Sequence, residues 1–186
     1  LDPSPAFLEA RRADRPRFLC ALFAPPEPRE NLMLLIALHQ EALPAARPGA
    51  EPMIAAIRAQ WWREQLDTPS QEHPFLQAIA PRLGPAGRRQ ACQAWLEAAA
   101  TGDTARASGQ LALAMAAFLH PAPADSSLAA CRLAGEAYGF AASGQAEAAQ
   151  SCLEAGRALR VAEKTIFRPV LLQAVLASQL CRTPQH

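Results

Sequence analysis

Strand-forming residues are almost missing from this chain: valine occurs only at Val161, Val170 and Val175, and isoleucine and threonine are nearly as rare. Without β-branched residues to line a pleated surface, the expected class is all-α. Aromatics make up 6% of the residues while hydrophobic residues make up 51%, with alanine the commonest of them, so the apolar surface comes in small pieces suited to close-packed helices. Charge of one sign is not concentrated: the net charge is +1 with both signs interspersed, which removes nucleic acid as a partner. The longest apolar run, Leu111 to Leu119, is about half of the ~18 residues that a membrane-spanning helix needs. Cysteines number 5 and show no C-x-x-C spacing, which excludes a disulfide or zinc framework and leaves reduced core thiols. Lys164 is the only lysine among 18 cations, and with the alanine excess this reads as the imprint of a GC-rich coding genome. The first residues include Asp2 and Glu9 and form no apolar stretch of the kind a secretory signal carries, so the cytoplasm is the expected address.

What the chain does have is proline, 17 in all, falling mostly between helical patterns, where helix geometry tolerates it. A length of 186 residues suits one domain spanning 1–186. Asp14 caps an expected helix through Phe18 and Leu22, closed by Pro25-Pro26; a second, apolar on nearly all sides, runs from Asn31 past His39 and ends between Pro44 and Gly49. A third starts at Glu51-Pro52 and continues to Asp67, where Thr68-Pro69 stops it. Further helices are expected at about 74–83, 86–100, 104–119, 125–142, 146–160 and 166–181, and the short connections suit an antiparallel bundle.

The third helix is the most informative segment. At 100° per residue Met53, Ile57 and Trp61 share one face and Ala55, Ala59, Trp62 and Leu66 another, so the helix is expected to pack on two sides in the middle of the bundle. Gln60, Glu64 and Asp67 form a polar stripe beside the first face. It reads equally as an edge ion-paired to Arg58 and Arg63 or as the wall of a ligand pocket; with Glu41 and Trp61 these residues are the candidate binding set.

Three stretches, Asp14-Arg-Pro-Arg-Phe-Leu-Cys-Ala-Leu-Phe-Ala-Pro25, the apolar helix Leu32 to Glu41, and Glu51-Pro-Met followed by Ile57-Arg-Ala-Gln-Trp-Trp-Arg-Glu-Gln-Leu-Asp67, resemble the squalene/phytoene synthase family. Within it they are most similar to a divergent branch that includes a mitochondrial respiratory complex I assembly factor. Phe167 to Ala177 resembles the family's last helix, while 70–155 offers no recognisable motif. The resemblance implies a shortened bundle of the isoprenoid synthase type. In active members it also implies a prenyltransferase that joins two isoprenoid diphosphates with Mg²⁺ held by two D-x-x-x-D motifs on facing helices. A diphosphate leaving group needs such cations, and hard Mg²⁺ takes carboxylate oxygens.

This chain has the aspartates Asp2, Asp14, Asp67, Asp103 and Asp125, no two of them four residues apart, so neither motif is present. Glu41 and Glu136 are the single acids near the two expected positions, and His39 on its apolar helix reads as a core histidine. Gly135 and Gly139, four apart, read as points of close helix contact. No G-x-S-x-G, P-loop, G-x-G-x-x-G or H-x-x-x-H occurs. The expectation is a non-catalytic relative with no catalytic residues, no metal and no cofactor, which binds a prenyl lipid or a protein partner. By the resemblance, that partner would belong to respiratory assembly, with at most peripheral contact at the inner membrane. Two alternatives stay open: a Mg²⁺-dependent prenyltransferase acting on farnesyl or geranylgeranyl diphosphate, and a structural partner of an active paralogue.

Overall fold

The computed structural model describes residues 4–43, 52–68, 73–84 and 86–182, and among them every regular element is helical. The order is α1 (Pro5–Ala13), α2 (Arg15–Ala21), α3 (Pro26–Ala42), α4 (Pro52–Asp67), α5 (Pro74–Ile79) with a 3-10 turn at Ala80–Leu83, α6 (Ala86–Ala100), α7 (Thr104–Leu119), α8 (Asp125–Ala142), α9 (Ala146–Arg157) and α10 (Lys164–Arg182). Helix starts follow the punctuation of the sequence. Proline occupies the first turn of α1, α2, α3 and α5, where the missing N–H has no intrahelical partner to lose. Side chains of Ser4, Asp14, His73 and Asp103 accept the orphan amide of Phe7, Arg17, Leu76 and Arg106. The expected helices are present, with α9 ending at Arg157 and α10 starting two residues early at Lys164. Helix α1 goes beyond the sequence reading; it buries only Ala6 and Ala10 and is pinned by Phe7 edge-on to Phe18, ring centroids 4.7 Å apart. The expected capping of α4 by Glu51, the breaks at Pro44 to Gly49 and the stop at Pro69 lie outside the described residues.

Helix α3 is buried at every residue from Asn31 to His39, as an all-round apolar helix requires. One buried cluster links Ala6, Leu32, Leu35, Trp62, Trp95, Met115, Phe167 and Val170. The tightest helix pair is α7 with α8. An added Cβ at Gly135 would sit 2.5 Å from the Ser108 carbonyl oxygen, and one at Gly139 would sit 2.7 Å from the Ala105 Cα, so only glycine lets these backbones approach. Left-handed glycines, Gly102 and Gly144, both with φ 76°, reverse the chain between α6 and α7 and between α8 and α9.

One expectation fails at α4. Its principal partner is α6 alone, and it lies at the margin rather than in the middle. Trp62 and Leu66 are buried, but the opposite face is open: Met53 is 71% exposed, Ile54 47%, Ile57 61% and Trp61 41%. A two-sided apolar pattern shows that two faces could be buried, not that a neighbour exists for each.

Candidate functional site

Inside the bundle the chain assembles a polar cluster from three helices, α2, α8 and α10. Asp14 caps α2, its Oδ1 accepting the Arg17 amide at 3.0 Å, and its Oδ2 accepts Arg17 Nη1 at 3.1 Å. Tyr138 of α8 donates its hydroxyl to the same Asp14 Oδ1 at 3.0 Å, and the Arg17 guanidinium lies 4.4 Å from the centre of the Tyr138 ring. Arg17 Nε donates to Gln173 Oε1 of α10 at 3.1 Å. Both members of the ion pair are buried, and Arg17 Nη2 is buried with no partner. Burial first, and then the Asp14 charge, raise the Tyr138 phenol well above its ordinary range, so it stays a donor.

Next to this cluster, His39 of α3 accepts the Trp95 indole N–H of α6 at Nδ1, 2.9 Å away. Desolvation, with a smaller contribution from the Arg17 charge, holds the imidazole pKa well below its usual value, so the ring is neutral with its proton on Nε2. A cleft of about 340 Å³ opens against both groups, with Asp14, Arg17, His39, Thr104, Ser108 and Tyr138 among its walls. Its polar side chains can hold a small ligand through an arginine and hydroxyls. The carboxylate of Asp14 already accepts three hydrogen bonds from Arg17 and Tyr138. Sequence reading used Asp14 only as a cap and gave Arg17, Tyr138 and Gln173 no role. The one local signal is the D-x-x-R spacing of Asp14 and Arg17.

The candidate set on α4 is placed differently. Gln60, Trp61, Arg63 and Glu64 do share a wall, with Ala56 and Ile57, but it is a shallow surface groove. Most of its polar groups are engaged: Gln60 donates to Glu64 at 2.8 Å and accepts from Arg63 at 2.6 Å, and Arg63 reaches Glu97 of α6 at 3.3 Å, while the buried Arg63 Nε has no partner. Asp67 faces away and pairs with Arg89. Glu41, at the end of α3, bonds the Nε2 of His73 at 2.9 Å, and that ring stacks edge-on to Trp62 with centroids 5.1 Å apart. The Arg58 side chain lies outside the described residues. Among the described members of the stripe Glu64 bonds Gln60 and Asp67 pairs with Arg89 instead of with the expected arginines, beside a largely exposed apolar face.

The two acids nearest the expected metal positions are likewise engaged singly. Glu136 of α8 accepts Arg132 at 2.6 Å and packs beneath Gly109 of α7, while Glu41 holds His73. Among the described residues no three His, Cys, Asp or Glu side chains converge as a cation site, so the described residues do not fit a Mg²⁺ cluster. The thiols of Cys20, Cys92 and Cys131 are free, and burial raises them to about 11, 12 and 12, leaving them unreactive. No helix among the described residues is long and apolar enough to cross a membrane.

Compared with known proteins, residues 10–133 match the sequence model of the squalene/phytoene synthase family. The match extends through α5, α6 and α7 into α8, beyond the stretches in which motifs are recognisable, and stops before the Phe167 to Ala177 segment. No curated protein and no solved structure matches the chain.

Proposed function

Because the chain belongs to the squalene/phytoene synthase family, we propose that it is a non-catalytic member, one that uses the helical fold to hold a protein partner instead of joining isoprenoid diphosphates. The observation that carries this reading is the fate of the acids. Where an active relative needs carboxylate pairs one turn apart, this chain offers Glu41 bound to His73 and Glu136 bound to Arg132, neither with a second acid one turn away. The space between the helices supports the same reading. Trp95, Phe167, Leu32, Leu35, Ile36 and Leu38 fill it, so a protein met at the surface suits the fold better than a prenyl chain held inside. The uncovered Met53, Ile54, Ile57 and Trp61 of α4 are the apolar surface on which such a partner would sit. Help in building a respiratory complex is one role of that kind.

The rival reading, a prenyltransferase, draws on Arg17 Nη2, a buried guanidinium nitrogen without a partner beside the cleft, which a diphosphate oxygen would satisfy. The test is turnover. Purified protein incubated with farnesyl or geranylgeranyl diphosphate and Mg²⁺ is expected to release no diphosphate above the protein-free blank. Sustained release together with a condensed hydrocarbon product would overturn the proposal.

A further inference from the structure

We propose that a groove between α9 and α10, floored by α8, binds an acidic amphipathic helix of a partner protein. Helices α9 and α10 each pack extensively on α8 and far less on one another, which leaves a slot of about 600 Å³ over α8. All but its α8 floor lies outside the residues matched to the family, and it is separate from both the polar cleft and the α4 face. The inference therefore does not depend on whether the chain is catalytic.

The floor is apolar, with Leu133 of α8, Leu153 of α9 and Leu171 of α10, and the charged lining is of one sign: Arg157, Lys164 and Arg182, with no carboxylate. None of these three cations makes an ion pair among the described residues. Val175 lies in the same groove with half its surface open.

The spacing selects the occupant. Lys164, Leu171, Val175 and Arg182 fall on one face of α10, because separations of 7, 11 and 18 residues are close to whole turns. Lys164 and Arg182 thus stand at opposite ends of the slot, about 27 Å apart at 1.5 Å per residue. Arg157 closes α9 and the short 158–163 connector keeps it near Lys164. A single-headed lipid anion would satisfy the cations at one end only. An amphipathic helix of about five turns, with acids at both ends and an apolar stripe between them, matches the whole length. Gly156 keeps the slot open. A Cβ there would meet only the Leu133 Cβ, at 3.8 Å, so a larger side chain is accepted by the fold and projects into the groove.

The experiment uses the full chain and two synthetic helical peptides of about 18 residues with the same leucine stripe, one carrying glutamates at both ends and the other lysines. Fluorescence anisotropy at physiological salt is expected to show the acidic peptide binding at least about tenfold more tightly than the basic one. Gly156→Phe should weaken it by at least about tenfold with the melting temperature unchanged, and Arg157→Glu/Arg182→Glu should reverse the preference. Equal binding of the two peptides, or acidic-peptide binding that Gly156→Phe leaves intact, would overturn the proposal. So would oleate occupying the groove, or self-association of the chain abolished by Gly156→Phe, in the absence of peptide binding.

Discussion

Helices α3 and α4 come from the same family-matched stretch and carry similar apolar residues, yet the first is swallowed by the bundle and the second turns one side outward. Every residue of α3 from Asn31 to His39 is buried, and the polar members are matched: Asn31 accepts Arg82 at 2.8 Å and His39 accepts Trp95. On α4 the polar residues pair at the surface, and Met53, Ile54, Ile57 and Trp61 stay exposed, Trp61 resting partly on Trp62 and His73. The difference teaches that apolarity alone does not assign a role. In α3 it stabilises the fold, and in α4 it is surface retained against the usual tendency to hide it, which suits recognition.

The largest expected effect breaks the interior side of this comparison. Arg17→Ala leaves Asp14 buried without its cation and should cost about 3–5 kcal/mol in urea unfolding. Asp67→Ala removes an exposed pair on α4 and should cost less than about 1 kcal/mol. Leu35→Ala should cost about 2–5 kcal/mol through the cavity it leaves, while Ile57→Ala should stay within about 0.5 kcal/mol of the parent. If the two substitutions cost the same, α4 is covered in solution and the comparison fails.

The histidine of α3 sharpens the contrast by pH. Its folded pKa lies below its unfolded value near 6.5, so the unfolded chain binds the extra proton first. The stabilisation is complete above about pH 6.5 and declines as the pH falls, by up to about 1.4 kcal/mol per unit. Unfolding free energies measured from pH 7 to 5 should therefore fall more steeply for the parent than for His39→Gln. Parallel curves would show that His39 is not buried neutral. The smallest effect belongs to Met53→Ser/Ile57→Ser, which should leave the melting temperature unchanged while reducing the dye-binding apolar surface of the folded protein.

Much of the fold was legible because its signals are local. Prolines and the capping side chain of Asp14 mark helix starts, and the Gly135/Gly139 spacing marks the close α7–α8 contact. The polar cluster was not legible, because Asp14 meets Tyr138 across 124 residues and Arg17 meets Gln173 across 156, separations that no helical period encodes. The margin position of α4 was hidden for a related reason. Two apolar faces on a helix are a statement about side chains, while the presence of a neighbour on each is a statement about the rest of the chain. The α9–α10 slot was invisible too, since the spacing of Arg157, Lys164 and Arg182 places them near one another in sequence but not over α8, whose Leu133 supplies the floor.

The central claim is that this family member has lost metal-dependent diphosphate chemistry, and calorimetric titration with farnesyl diphosphate and a non-hydrolysable analogue, with and without Mg²⁺, tests it most directly. The account predicts the same binding isotherm, weak or flat, in both conditions. Affinity that tightens by about tenfold or more when Mg²⁺ is added would contradict it.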